Sequence, residues 1–411
     1  MADMSITTKC CIAGGGPAGV MLGFLLARAG VEVVVLEKYP DFFRDFRGDT
    51  IHPSTLQLIA ELGLLDEFLK LPHQKVERLS GQFGSRRLMI GDFTHLPTTC
   101  KYIALMPQWD FLNFMAAHGK HYQGFGLHMK TEATDLIEEA GRIVGVRAKT
   151  PDGTLTIRAN LVIGADGRHS TVRERAGLKS DDYGAPMDVL WFRISRQPTD
   201  DAESFGHIEA GRMIVMLDRG DYWQCAYVIP KGGIEKVKAA GLDAFRERVV
   251  EMTPFFAGRV GELKSFDDVK LLTVTVDRLR QWWRPGLICI GDCAHAMSPI
   301  GGVGVNLAVQ DAVAAANELA APLRAGTPVT DDHLRAIEKR RTFPVKFTQW
   351  LQLAIQNNVV SRVLSSQVTP EPPFAVKLLD AVPVLRRIPA RVLGVGVRPE
   401  HVRTPDVLAA S

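Results

Sequence analysis

No stretch of this 411-residue chain holds the roughly 18 consecutive apolar residues that a membrane-crossing helix needs. An integral membrane helix is therefore not expected, and residues 20–29 have the length of a buried core helix instead. Residues 1–9 have neither a basic start nor an apolar run, so no secretory signal is expected and cytoplasmic residence is. Cysteine is sparse. The six residues (Cys10, Cys11, Cys100, Cys225, Cys289, Cys293) form no Cys-x-x-Cys pair and no short secreted framework, which suits a reducing compartment. Charge of one sign is lacking too: a net charge of +3 with 23% charged residues calls for no nucleic acid or strongly acidic partner. Basic residues gather only at Arg386, Arg387 and Arg391. Repeats and low-complexity tracts are absent, and the length suffices for two or three cores.

What is present is concentrated in three segments. Residues 286–312 read GLICIGDCAHAMSPIGGVGVNLAVQDA. An apolar run at 287–290 ends in Gly291-Asp292, a turn rich in Pro299, Gly301, Gly302 and Gly304 follows, and a small-residue helix begins near Val305. That order puts a carboxylate at the carboxyl end of a strand and bare N–H groups at a helix start. The first suits a polyol hydroxyl, the second a negatively polarised ring edge. Cys289, Cys293 and His295 could suggest a metal, but Cys289 lies in the apolar strand and the ligand set is incomplete.

At the amino terminus a buried strand (7–13) runs into Gly14-Gly15-Gly16-Pro17-Ala18-Gly19, a helix, a second strand (31–36) and Glu37. This is G-x-G-x-x-G in a βαβ context. The first glycine permits the tight turn, the second lets a pyrophosphate approach, and the third lets helix and strand pack closely. Gly23 and Gly30 extend the small-residue face and the helix end. Glu37 can take both hydroxyl hydrogens of an adenosine ribose, which favours FAD or NAD over a 2′-phosphorylated ligand. In the third segment an apolar strand (161–163) enters Gly164-Ala165-Asp166-Gly167, with Ser170 and Arg173 on the next turn.

Together, in this order and at about these distances, the three segments resemble the single-component, para-hydroxybenzoate hydroxylase-like group A FAD-dependent monooxygenases. The resemblance covers about residues 5–330 and rests on G-x-G-x-x-G…Glu, D-G-x-x-S-x-x-R and G-D…P-x-G-x-G-x-N. It implies FAD bound by Gly14, Gly16, Pro17, Ala18, Gly19, Glu37 and the adjacent Lys38. It implies that Asp166, Gly167 and Arg173 serve both FAD and NAD(P)H, and that Asp292, after Gly291, holds the ribityl chain. Pro299, Gly301, Gly302, Gly304, Val305 and Asn306 would form the flavin-ring loop, with Pro299, Gly301, Gly304 and Asn306 the candidates nearest the chemistry. Arg47, preferred to Arg44, would reach the FAD phosphates, and Gln108 the ribityl side. One departure is Gly-Asp-Cys-Ala-His where Gly-Asp-Ala-Ala-His is common; Cys293 is small and read as inert.

The expected fold class is α/β: a discontinuous Rossmann-type FAD-binding domain (1–75, 98–180, 267–357), an inserted β-rich substrate domain (76–97, 181–266) and a C-terminal helical segment (358–411) packed onto the FAD domain. Helices are expected at 113–121 and 330–357, and strands near 79–83, 87–90, 188–194, 206–208, 213–217 and 223–229. Asp218-Arg219-Gly220-Asp221 is a hairpin turn between the last two. Aromatic residues are dense in the insertion, and Trp191, His207, Met216, Trp223 and Tyr227 are the substrate candidates, alongside the reading that they simply fill the layer.

The resemblance further implies that NADH or NADPH reduces FAD, O₂ adds to the reduced ring, and the hydroperoxyflavin passes one oxygen to an aromatic or polycyclic small molecule. Without a second Rossmann fingerprint, the nicotinamide would visit transiently. No catalytic base stands out, since His207, Tyr222 and Tyr227 all have structural readings. Monomer and homodimer both fit. Three other functions compete with this one. A flavin halogenase would carry W-x-W-x-I-P, but Cys225-Ala226-Tyr227-Val228-Ile229-Pro230 lacks both tryptophans. A flavin reductase or desaturase is poorly separated by sequence, and a non-catalytic FAD-binding protein rests only on fold not dictating function.

Overall fold

The computed structural model describes residues 4–43, 50–200 and 205–409. Its first sheet has the strand order Trp283–Arg284, Leu287–Cys289, Gly153–Gly164, Met4–Ala13, Val33–Leu36, Phe125–His128. All neighbours are parallel except the Trp283–Arg284 edge. Val33–Leu36 is buried on both faces, as a β-branched run between helix layers must be. It starts two residues later than the sequence suggests, because the Val31 N–H is engaged by Leu26 O (3.0 Å) at the end of the preceding helix, where Gly30 takes φ +81°. Two further strands, Glu132–Glu139 and Arg142–Thr150, form an antiparallel extension of Gly153–Gly164 that the sequence reading did not anticipate.

The second sheet joins both insertions. Its order is Lys270–Leu272, Met187–Ser195, Tyr222–Pro230, Arg212–Asp218, Phe205–Glu209, Arg78–Phe83, Arg86–Asp92. The junction is the parallel pairing of Gly206 with Gly81. The expected hairpin is present, with Asp218 opposite Trp223 and Gly220 at φ +90°. Helices Ile234–Ala240 and Leu242–Met252 cover one face of this sheet. The stretch read only as β-rich thus carries its own helical layer.

Two long helices lie beside the first sheet. Gly304–Ala325 packs on Pro17–Arg28, and Asp331–Ile355 packs on Gly304–Ala325 before passing into a π-helical turn, Gln356–Val360. Gln108–Gly119 begins earlier than expected because Pro107, extended at ψ 138°, sits at its cap. The C-terminal segment departs from expectation. Phe374–Ala381 and Arg387–Gly394 pack on Arg86–Asp92 of the second sheet. The final stretch returns to the first sheet's helices, where Arg28 donates to Thr404 O at 2.8 Å and Val407 N–H to Arg28 O at 3.0 Å.

Candidate active site

Three turns meet at the carboxyl ends of three neighbouring parallel strands. The first follows Met4–Ala13. Gly14 has φ +111°, and a Cβ there would lie 2.2 Å from Ala165 O and 2.7 Å from Asp166 N. A Cβ on Gly19 would fall 1.9 Å from Gly14 O. Gly16, at the cap of Pro17–Arg28, has nothing within 4 Å of its Cβ position. Closed glycines set the turn and the open one leaves the helix N-terminus bare to an anion. Glu37 flanks it, buried at 8% exposure, with Oε1 accepting the Tyr39 N–H at 2.9 Å. Lys38 is exposed, its Nζ 5.1 Å from the Tyr39 ring centre.

The second turn follows Gly153–Gly164. Asp166 Oδ1 accepts from Ser170 Oγ (2.5 Å) and Oδ2 from Val172 N–H (3.1 Å), while Ser170 Oγ caps the next helix by accepting from Arg173 N–H (2.8 Å). Gly167 takes φ +88°. Arg173 donates to Asp277 Oδ2 at 3.2 Å and to Arg168 O at 2.7 Å. Both heads help to build the turn through bonds made inside the protein.

The third turn follows Leu287–Cys289. A Cβ on Gly291 (φ +59°) would lie 3.2 Å from both Ala18 Cβ and Ala308 Cβ, so the helices Pro17–Arg28 and Gly304–Ala325 close on one another here. Asp292 keeps its carboxylate 38% exposed, with Arg168 Nη2 3.9 Å away. Cys293 is fully buried, donates to Ser170 Oγ at 3.1 Å, and has its thiol pushed well up by burial, which makes it inert. The loop continues through Pro299 to Gly301 (φ +78°) and Gly302 (φ +62°), where a Cβ would strike Leu393 Cδ1 at 2.7 Å and Thr50 Oγ1 at 2.2 Å. Gly304 opens onto free space, and Val305 is buried. Asn306, expected at the ring, is wholly occupied: its Oδ1 accepts from His52 N–H (2.9 Å) and Thr55 Oγ (2.7 Å), and its Nδ2 donates to Thr50 O (3.2 Å). It positions the loop.

Two supports behind the loop escaped the sequence reading. Asp311, fully buried, accepts from Gly291 N–H (3.0 Å) and Arg341 Nε (2.8 Å) and bonds His295 Nε2 (2.6 Å). Burial alone would raise its carboxyl, but His295 and Arg341 outweigh that and hold it below the ordinary value. An acid set among small apolar residues, Ala308-Val309-Gln310-Asp311-Ala312-Val313, was the available signal. The other support is a row of buried glutamines on the Asp331–Ile355 helix and its continuation. Gln349 donates to Asp277 O (2.7 Å) and Ala296 O (3.1 Å), Gln352 to Ser298 O (2.9 Å) and Ile300 O (2.8 Å), and Gln356 to Ser298 Oγ (2.8 Å).

Residues 7–350 match the family described as FAD binding domain. A 6-methylpretetramide 4-monooxygenase of Streptomyces rimosus is 31% identical over 94% of this chain and 92% of its own length. A rifampicin monooxygenase of Rhodococcus hoagii is 28% identical over 77% of the chain, which spans 65% of that longer protein. Among solved structures, the probable FAD-dependent monooxygenase pqsL of Pseudomonas aeruginosa superposes with a TM-score of 0.74 at 22% identity, covering 87% of this chain and 97% of that one. The chain belongs to the FAD-dependent aromatic monooxygenases. FAD is its cofactor, and NAD(P)H is the electron donor typical of the family.

In this monooxygenase the second sheet turns one face to the 299–306 loop. Ile300 packs with Met187, Met213 and Val228 of that face and with Val360 of the π-helical turn. Trp191, opposite Ala226, lies on the same face, half-buried with Val189, Val215 and Val274. The other four substrate candidates do not. Met216, Trp223 and Tyr227 belong to the core beneath Leu242–Met252, and His207, opposite Ile214, shares their face. Trp223 is fully buried, with Nε1 donating to Asp200 Oδ2 at 2.9 Å, and the Tyr227 ring lies 5.5 Å from that of Phe245. Period-2 alternation assigns these residues to one face without saying which face meets the cofactor. Gln108 is half-buried at its helix start, while Arg47 and Arg44 lie outside the described residues.

Proposed function

We propose that this monooxygenase holds FAD along the line Glu37, Gly16, Asp292 and the 299–306 loop, and hydroxylates an aromatic or polycyclic small molecule, with O₂ as co-substrate. The observation that carries the reading is the convergence of two bare helix N-termini, at Gly16 and Gly304, on either side of the contact between Gly291, Ala18 and Ala308. That arrangement fits a ligand with an anionic middle, a polyol and a ring edge that becomes negative. The residues present fit FAD: an acid for the ribose (Glu37), an open glycine for the pyrophosphate (Gly16) and a half-exposed acid for the ribityl hydroxyls (Asp292).

When bound, FAD supplies two-electron reduction by a nicotinamide and transfer of one oxygen atom from O₂. The chain does the rest. N–H groups at the start of Gly304–Ala325 stabilise negative charge at the ring edge, without reorganisation because Asn306 and Gln352 fix the loop that leads into them. Ile300 and the apolar sheet face keep water out. A cleft of about 400 Å³ beside the second turn, with Arg168, His169, Arg173 and Lys179 in its lining, supports transient docking of the NADH or NADPH phosphates. Near-full-length likeness to a protein named for a polycyclic substrate supports the polycyclic end of the range. The same reading keeps the three-part division of the chain expected from its sequence, as a monomer or homodimer.

Oxygen uptake with NADH and with NADPH, in the presence and absence of one-ring and three-ring phenols, tests the reading. Uptake stimulated by a phenol, with product in place of peroxide, is expected. FAD-bound protein that consumes neither nucleotide under any condition contradicts it.

A further inference from the structure

The C-terminal helix Arg387–Gly394 reaches the flavin loop. Leu393 Cδ1 lies so close to Gly301 that a Cβ there would come within 2.7 Å. The Leu393 carbonyl meets His52 Nδ1 at 2.8 Å, and His52, fully buried, also donates its backbone N–H to Asn306 of the same loop at 2.9 Å. Gly394 is required for this approach, since a Cβ at that position would sit 2.9 Å from Leu96 Cδ1 and 3.1 Å from Phe93 Cδ1. Leu393 packs, together with Val76, Leu79, Leu217 and Val395, all apolar and only half-buried, against one buried cluster of Phe93, Leu96, Ile103, Leu105 and Ala390. Apolar side chains left half-open at the edge of a cofactor loop are what an apolar ring system would cover.

We propose that Leu393 is a wall of the substrate pocket and shields the flavin edge at Gly301, with His52 as the residue that positions it. The inference rests on the flavin lying at the 299–306 loop. It moves the pocket toward the half of the sheet formed by Leu79 and Leu217 and gives the C-terminal segment a part in substrate selection. The ligand class is an apolar, ring-shaped molecule, since the wall side chains offer no charge.

Iodide quenching of bound-FAD fluorescence in the purified holoprotein tests the shielding without turnover. Leu393→Ala is expected to raise the quenching constant about threefold or more, and Leu393→Trp to leave it at or below the parent value. Ile388→Ala, an exposed position on the same helix, should change nothing. His52→Leu should resemble Leu393→Ala, and His52→Asn, which keeps a side-chain N–H, should restore part of the protection. Leu393→Ala protein that retains FAD yet quenches like the Ile388→Ala control overturns the wall. Parent protein that holds no FAD overturns instead the placement of the cofactor, and Leu393 with it.

Discussion

At the scale of single residues, His52 carries a pH signature. Burial pulls it from the ordinary 6.5 to about 4, more than its backbone partners at Leu393 and Gly301 restore. Between those values the unfolded chain takes up a proton that the folded one refuses. Stability contributed at this site is therefore complete above pH about 6.5 and falls as pH drops toward 4, by about 2 kcal/mol between pH 7 and 5. Urea unfolding at the two pH values should show that loss in the parent and a clearly smaller one in His52→Asn; equal losses would mean the imidazole is not buried neutral. Asp292 and Cys293 are neighbours with opposite fates. Asp292→Ala should weaken FAD by about 1–3 kcal/mol, because the half-exposed carboxylate is the acceptor proposed for the ribityl hydroxyls. Cys293→Ala should leave FAD affinity within experimental error, since its sulfur faces Ser170 and Gly164 behind the turn. Equilibrium dialysis of FAD distinguishes them, and equal weakening would mean that the ribityl acceptor is elsewhere.

Among elements, the two tryptophans of the second sheet lie on opposite faces, Trp191 on the face proposed as the substrate floor and Trp223 in the core. Trp223→Ala opens a fully buried site and should cost about 3–5 kcal/mol of folding stability. Trp191→Ala, on the loop-facing side, should cost less and instead raise the hydrogen peroxide released per NAD(P)H consumed. Parallel unfolding and peroxide assays check both, and the reverse pattern would exchange the two faces. The glutamine row gives a second test. Gln352→Leu leaves Ser298 O and Ile300 O without their donor, which should cost about 1–3 kcal/mol and shift the bound-flavin absorption spectrum. A stability loss with an unchanged spectrum would show that the row supports the helix alone. Legibility differed by element. Strands such as Val33–Leu36 announced themselves by buried β-branched runs, and the hairpin at Asp218–Asp221 by its turn residues. Helices Ile234–Ala240 and Leu242–Met252 did not, being short, charged on one side and interrupted at Gly241. Nothing local told which face of the inserted sheet would meet the loop, because that is decided by the helices on the other side.

For the whole molecule, the three motifs fall on turns that the fold brings together, whereas four of the five substrate candidates lie on the sheet face away from the 299–306 loop. Gly14, Gly16, Gly19 and Gly291 act through backbone geometry that a fingerprint encodes directly. The polar supports bridge residues far apart in sequence: Asp311 with Arg341 and Glu400, Gln352 with Ile300, His52 with Leu393. Such pairs have no local pattern, because their members lie on elements that only the folded chain brings together. The central claim, that these turns form a working flavin site fed by a nicotinamide, is tested most directly by anaerobic mixing of the purified holoprotein with NADH or NADPH. One FAD per chain should bleach, and admission of O₂ should restore the oxidised spectrum, faster reduction accompanying an added phenol that fits the pocket. A protein that binds no FAD, or whose bound FAD neither nucleotide reduces, contradicts the account.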